Sequence, residues 1–179
     1  MADVPVVEVP IVGEQWRPPL TSLSKEPLDE AEQERTVECF ETHHVLDPEA
    51  GSHELMAAAA CMRGARAYGK EVSLYRLILG RHPELPEGME VTRLLGLRLE
   101  QLDHQSGALD VFAEYLRRYP QQEDARAIGM RAVCVARSLM NDQREEELLG
   151  LLDRYFRRKG FVRPSPPDMP ELCGEVPSQ

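Results

Sequence analysis

The chain has 179 residues, of which 29% are charged and only 6% aromatic, enough for about one domain with its own core. Its net charge of −10 excludes a phosphate-backbone partner, which needs clustered Lys and Arg, and no window approaches the roughly 18 apolar residues of a membrane span. The acidity is concentrated in residues 1–50, where Arg17, Lys25 and Arg35 oppose twelve Asp and Glu, and the remainder is close to neutral.

Residues 1–27 contain Pro5, Pro10, Pro18, Pro19 and Pro27. Proline removes backbone donors and blocks helix, so this reads as an extended or disordered N-terminal segment. The run "VPVVEVPIVGEQW" over residues 4–16 is stiff and β-branched. It is expected to dock on its own body or on a partner. A first helix opens at Asp29, which with Glu32 has the spacing of a capping box. Val37, Phe40 and His44 then recur at helical spacing, and Glu30, Glu34, Glu38 and Glu41 should face water. Ser52 is the expected N-cap of a second helix with an Ala57–Ala60 run. Val72–Arg81 forms a third, broken by the prolines and glycine of "RHPELPEG". Two more follow in "MEVTRLLGLRLEQLDH" and "SGALDVFAEYLRRYP". A sixth runs from Ala125 to Met140 with Asp124 as N-cap. A seventh begins with Asp142 and Glu145 at capping-box spacing and ends near Lys159, with Gly160 suited to a left-handed end. The five prolines of "RPSPPDMPELCGEVPSQ" imply a disordered tail over 161–179. The body, residues 28–160, is thus all-α: antiparallel helices joined by short turns.

The sequence of the middle pair is informative. Gly96, Ala108, Phe112, Tyr115 and Pro120 put small residues where two helices cross, two aromatics in the seam, and a proline at the end. This pattern resembles the tetratricopeptide repeat, a 34-residue helix–turn–helix unit. The outer units match it less well, offering Ala59, Glu71, Tyr75, Ile78 and Pro83 before it and Ala136, Leu148, Leu152, Tyr155 and Gly160 after it. Glu71 and Leu148 depart from the small residue expected there. The resemblance implies an α-solenoid of about three such units with the first helix as N-terminal cap.

It further implies that the first helices line a concave groove holding a protein segment. Carried over position by position, the lining is His53, Met56 and Arg63 in the first unit. The middle unit adds Glu90, Arg93, Leu97, Glu100 and Gln101, and the third adds Met130, Val133, Arg137, Met140 and Asn141. Met side chains give an adaptable apolar floor and Arg side chains positive anchors. The carboxylate clamp of chaperone-binding family members is not carried over, because Met56 and Val133 replace its cations.

Other chemistry is poorly represented. His43, His44, Asp47, Glu49, His53 and Glu54 cluster in sequence, but without the spacing that sets two His on one helix face. No nucleophile elbow or phosphate loop is present. Arg117–Arg118 and Arg157–Lys159 complement helix C-termini. Cys39, Cys61, Cys134 and Cys173 show no C-x-x-C or Cys/His pattern. The N-terminus is no secretory signal, so a cytoplasmic protein with reduced thiols is expected. The excess of Arg over Lys hints at a bacterial source. The expected role is a non-enzymatic adaptor or scaffold without metal or cofactor, which binds a protein partner and neither nucleic acid nor membrane. A secretion-type chaperone is the alternative, and an enzyme or metal protein is disfavoured.

Overall fold

The computed structural model describes residues 28–43, 47, 49–165 and 168–173. The extended segment expected over residues 1–27 lies outside these, as do His44 and the last six residues. The described residues are helical: α1 (Glu30–Thr42), α2 (Ser52–Gly64), α3 (Tyr68–Arg81), α4 (Gly88–Gln101), α5 (Gln105–Arg118), α6 (Ala125–Ser138), α7 (Asp142–Phe156) and the single turn α8 (Met169–Leu172). They form two compact units that divide at Gly88. No described helix is long and apolar enough to cross a membrane.

In the first unit α1 begins at the expected capping box: Glu32 N–H donates to Asp29 Oδ1 at 2.7 Å and Asp29 N–H to Glu32 Oε2 at 3.1 Å. Glu30, Glu34, Glu38 and Glu41 are exposed. The packed face is not the expected Val37 stripe. Val37 is 55% exposed, and the buried residues are Glu32, Thr36 and Cys39. The helix tolerates polar groups there because each has a partner. Thr36 Oγ1 donates to Glu32 C=O, and the Glu32 carboxylate lies 3.4 Å from Arg66. The cap of α2 is Gly51 rather than Ser52, its N–H donating to Glu54 Oε2.

The hairpins α2–α3, α4–α5 and α6–α7 close with one and the same turn. Arg66 (φ 56°), Asp103 (φ 63°) and Met140 (φ 51°) are left-handed and stand 37 residues apart. The next N–H donates five residues back in every case: Ala67 to Met62, His104 to Leu99 and Asn141 to Ala136, at 2.8–2.9 Å. Helices usually end this way on glycine. Here a side chain takes the position each time.

The common step of 37 residues aligns Ala59, Gly96 and Val133, and likewise Pro83, Pro120 and Arg157. The third unit's register, expected at Ala136, Leu148, Leu152, Tyr155 and Gly160, is therefore offset by three residues. Val133 occupies the place of Gly96, and Glu145 that of Ala108. Neither is small, so residue size does not mark the alignment. Gly160 keeps its expected left-handed backbone, at φ 82°, after a 3-10 turn over Arg157–Lys159.

The core residues are largely those expected. Ala59, Tyr75, Ala108, Phe112, Tyr115, Ala136 and Leu152 are at most 1% exposed, whereas Tyr155 stays half-exposed, edge-on to Phe156. Gly96 is a true close approach. A Cβ there would lie 2.5 Å from the Phe112 ring. Gly129 is a second: its Cβ would meet Leu152 at 2.7 Å and Leu116 at 3.1 Å.

Two expectations fail at the cysteines and the tail. All four cysteines are paired, Cys39 with Cys61 and Cys134 with Cys173, so the thiols are not free core residues. The described residues past Gly160, 161–165 and 168–173, pack on the second unit. Phe161 and Met169 are buried, and Cys173 tethers α8 to α6. Two apolar anchors and a crosslink outweigh the proline content of this segment.

Candidate functional site

In the second unit, ion pairs set like helices side by side. Arg93 of α4 lies 3.8 Å from Asp124 at the start of α6, and Glu100 of α4 pairs with Arg131 of α6. On the other side Asp110 of α5 meets Arg144 of α7 at 2.8 Å, and Glu147 of α7 binds both Arg117 and Arg144. The first helices of these two hairpins thus share one face, and the second helices the other. Burial raises the Glu147 pKa, but the hydrogen bonds from Arg144 and Arg117 outweigh it and hold the carboxyl below its usual range.

The residues expected to line the groove of this unit fall into three groups. Leu97 and Met130 are half-buried on α4 and α6, and Met140 is 88% exposed at the α6–α7 turn. These offer apolar surface. The charged residues and Gln101 are already engaged. Arg93 makes a bidentate bond to Glu90 at 2.6 and 2.7 Å, Gln101 accepts from Arg98, and Arg137 lies 3.4 Å from Glu145. Two residues serve the fold. Val133 is completely buried at the helix crossing, so it lines no surface. Asn141 caps α7, its Oδ1 accepting from Arg144 N–H at 3.1 Å. It displaces the expected Asp142–Glu145 box.

In the first unit His53 is exposed and Met56 half-buried, and Arg63 lies 3.6 Å from Glu71. Arg63–Glu71 and Arg137–Glu145 are one device used twice, joining the two helices of a hairpin across its turn. In the middle hairpin the same places hold Glu100 and Ala108, and Glu100 turns to Arg131 instead. This explains why Glu71 can stand where a small residue was expected. It is buried, but it accepts from Tyr75 Oη at 2.9 Å and faces a guanidinium.

Sequence reading missed the partners: Glu71 and Glu145 eight residues beyond their arginines, and Asp124, which leaves the N-cap of α6 without a side-chain bond and accepts instead from Tyr115 Oη at 2.6 Å. Burial, and then that hydrogen bond, push the Tyr115 phenol far above its ordinary value. Periodicities of three and four do not detect contacts across a hairpin, although an eight-residue Arg–Glu spacing around a turn could have.

Among the described residues no group of three His, Cys, Asp or Glu could hold a metal ion. Compared with models of known families, with curated proteins and with solved structures, the chain matches none.

Proposed function

We propose that the chain is an adaptor of tetratricopeptide-like hairpins that holds a segment of a partner protein against its first helices, without catalysis. The observation that carries this is the shared α4–α6 face of the second unit. There Leu97, Met130 and Met140 leave apolar surface uncovered, while the neighbouring charges are paired within the chain. Recognition is then chiefly apolar, with methionine adapting to the partner's shape. Arg93 and Arg137, neutralised by Glu90 and Glu145, set the groove's shape rather than anchoring an acidic peptide. The paired cysteines favour an oxidising compartment over the cytoplasm.

A photo-crosslinking side chain at position 97 or 130 should capture one defined partner segment, and the same group at the exposed position 150 should not. Capture from position 150 alone would move the site to the opposite face.

A further inference from the structure

The segment following α7 behaves as a strap. Phe161 and Met169 are its two buried anchors, 5% and 2% exposed. Arg126 lies over the Phe161 ring, and Arg163 binds Glu146 in an exposed ion pair. Ser165 donates to Asp168 within the strap itself. Beneath it an open cleft of about 270 Å³ is lined by Arg137, Glu145 and Leu149 of the hairpin and by Arg163, Pro164 and Met169 of the strap. The Cys134–Cys173 bond closes the far end.

We propose that this disulfide is a redox latch, and that a dithiol opens it and frees the strap from the α6–α7 hairpin. Three observations support this. First, the non-covalent hold is thin. Two apolar anchors and a solvent-screened ion pair must offset the ordering of about a dozen residues, and each ordered residue costs conformational entropy comparable to a large part of what one anchor returns. The single turn α8 has no stability of its own. Second, the latch is reachable. Cys134 and Cys173 are both partly exposed, whereas the other bridge joins a partly exposed Cys61 to a buried Cys39. Thiol exchange depends on access to a sulfur, and the latch offers two reachable sulfurs against one in the other bridge, so it should react first. Third, opening uncovers a defined surface, the one beneath Met169 and Phe161, beside the Arg137–Glu145 pair.

The chemistry balances. A thiolate of the dithiol attacks one sulfur of the bridge, forming a mixed disulfide and expelling the other cysteine as thiolate. The second thiol of the reagent then attacks the mixed disulfide, closes its own ring and releases the remaining cysteine. The protein gains two electrons and, once both thiolates are protonated, two protons. The dithiol is oxidised by two electrons.

The test uses the full chain with a small dithiol as reductant. Alkylation and mass spectrometry after brief treatment should find Cys134 and Cys173 labelled before Cys39 and Cys61. Hydrogen exchange should then accelerate at least tenfold at the amides of Asp168 and Cys173, which donate to Ser165 and Met169, with α5 and α6 unchanged. The variant Cys173→Ser should show the fast exchange without any reductant. Reduction of Cys39–Cys61 first would overturn the proposal. So would protection at Asp168 and Cys173 in the variant equal to that of the oxidised parent. Neither readout depends on the proposed partner groove.

Discussion

Replacing Gly96 by Ala tests the helix crossing on which the second unit is built. The added methyl would sit 2.5 and 2.6 Å from two carbons of the Phe112 ring and 3.3 Å from Val111 Cγ1. Phe112 is fully buried, so its ring has no free space to turn into. Ala is favoured over Gly in a helix by about 1 kcal/mol, while overpacking a closed core costs about 1–3 kcal/mol. The expected net loss is up to about 2 kcal/mol, or a fall in Tm of up to about 8 °C for a chain of this size. Gly150 supplies the control. It lies exposed on α7 with nothing within 4 Å of its would-be Cβ, so Gly150→Ala should collect the propensity term alone and raise Tm by about 2–4 °C. Thermal melts followed by circular dichroism measure both. Gly96→Leu should lose several kcal/mol, about the upper end of overpacking effects or beyond. In Gly96→Ala combined with Phe112→Leu the loss should be smaller than the sum of the two, because the groups touch. A Gly96→Ala protein that melts above the parent by as much as Gly150→Ala does would refute the close contact and the register drawn from it.

Other outcomes follow from the same geometry. Met140→Gly should stabilise by about 0.5–1 kcal/mol in a denaturant melt, since its left-handed backbone suits glycine and its side chain is 88% exposed. Glu71→Ala should cost about 1–3 kcal/mol by depriving the buried Tyr75 hydroxyl of its acceptor, while Glu145→Ala, at a more open hairpin, should cost clearly less in the same assay. Tyr115 ionises far above its ordinary range when folded, so the stability it confers is complete below about pH 10 and is lost as pH rises beyond that toward the folded value. A Tm series from pH 8 to 11 should therefore fall less steeply for Tyr115→Phe than for the parent; parallel curves would refute the coupling.

The helices were legible because their signals are local. Periodicity, prolines and the Asp29 cap place all seven main helices within a few residues. The small residue Gly96 announces its crossing in advance. What the sequence hid depends on contacts between distant positions. Val133 and Glu145 do not look like Gly96 and Ala108, so the third hairpin's alignment emerges only from its turn, where Met140 repeats the backbone of Arg66 and Asp103. Of the carboxylates that meet the groove arginines, Glu90 lies on the same helix as Arg93, but Glu71 and Glu145 sit across a hairpin and Asp124 at the start of the next one. Val133 was misplaced with the alignment. Cysteines separated by 22 and 39 residues carry no spacing rule. The strap's prolines masked the two anchors, Phe161 and Met169, that fasten it.

The cysteine pairing has a consequence for the covalent topology of the chain. Cys39–Cys61 lies wholly before the division at Gly88, and Cys134–Cys173 wholly after it. No disulfide joins the two units. A single cut in the proline-bearing stretch from His82 to Glu87 therefore leaves no covalent link between the two pieces, under oxidising as under reducing conditions, each still carrying its own closed ring. Thiol exchange that opens one ring leaves the other closed, so each unit keeps a crosslink of its own on the one thread.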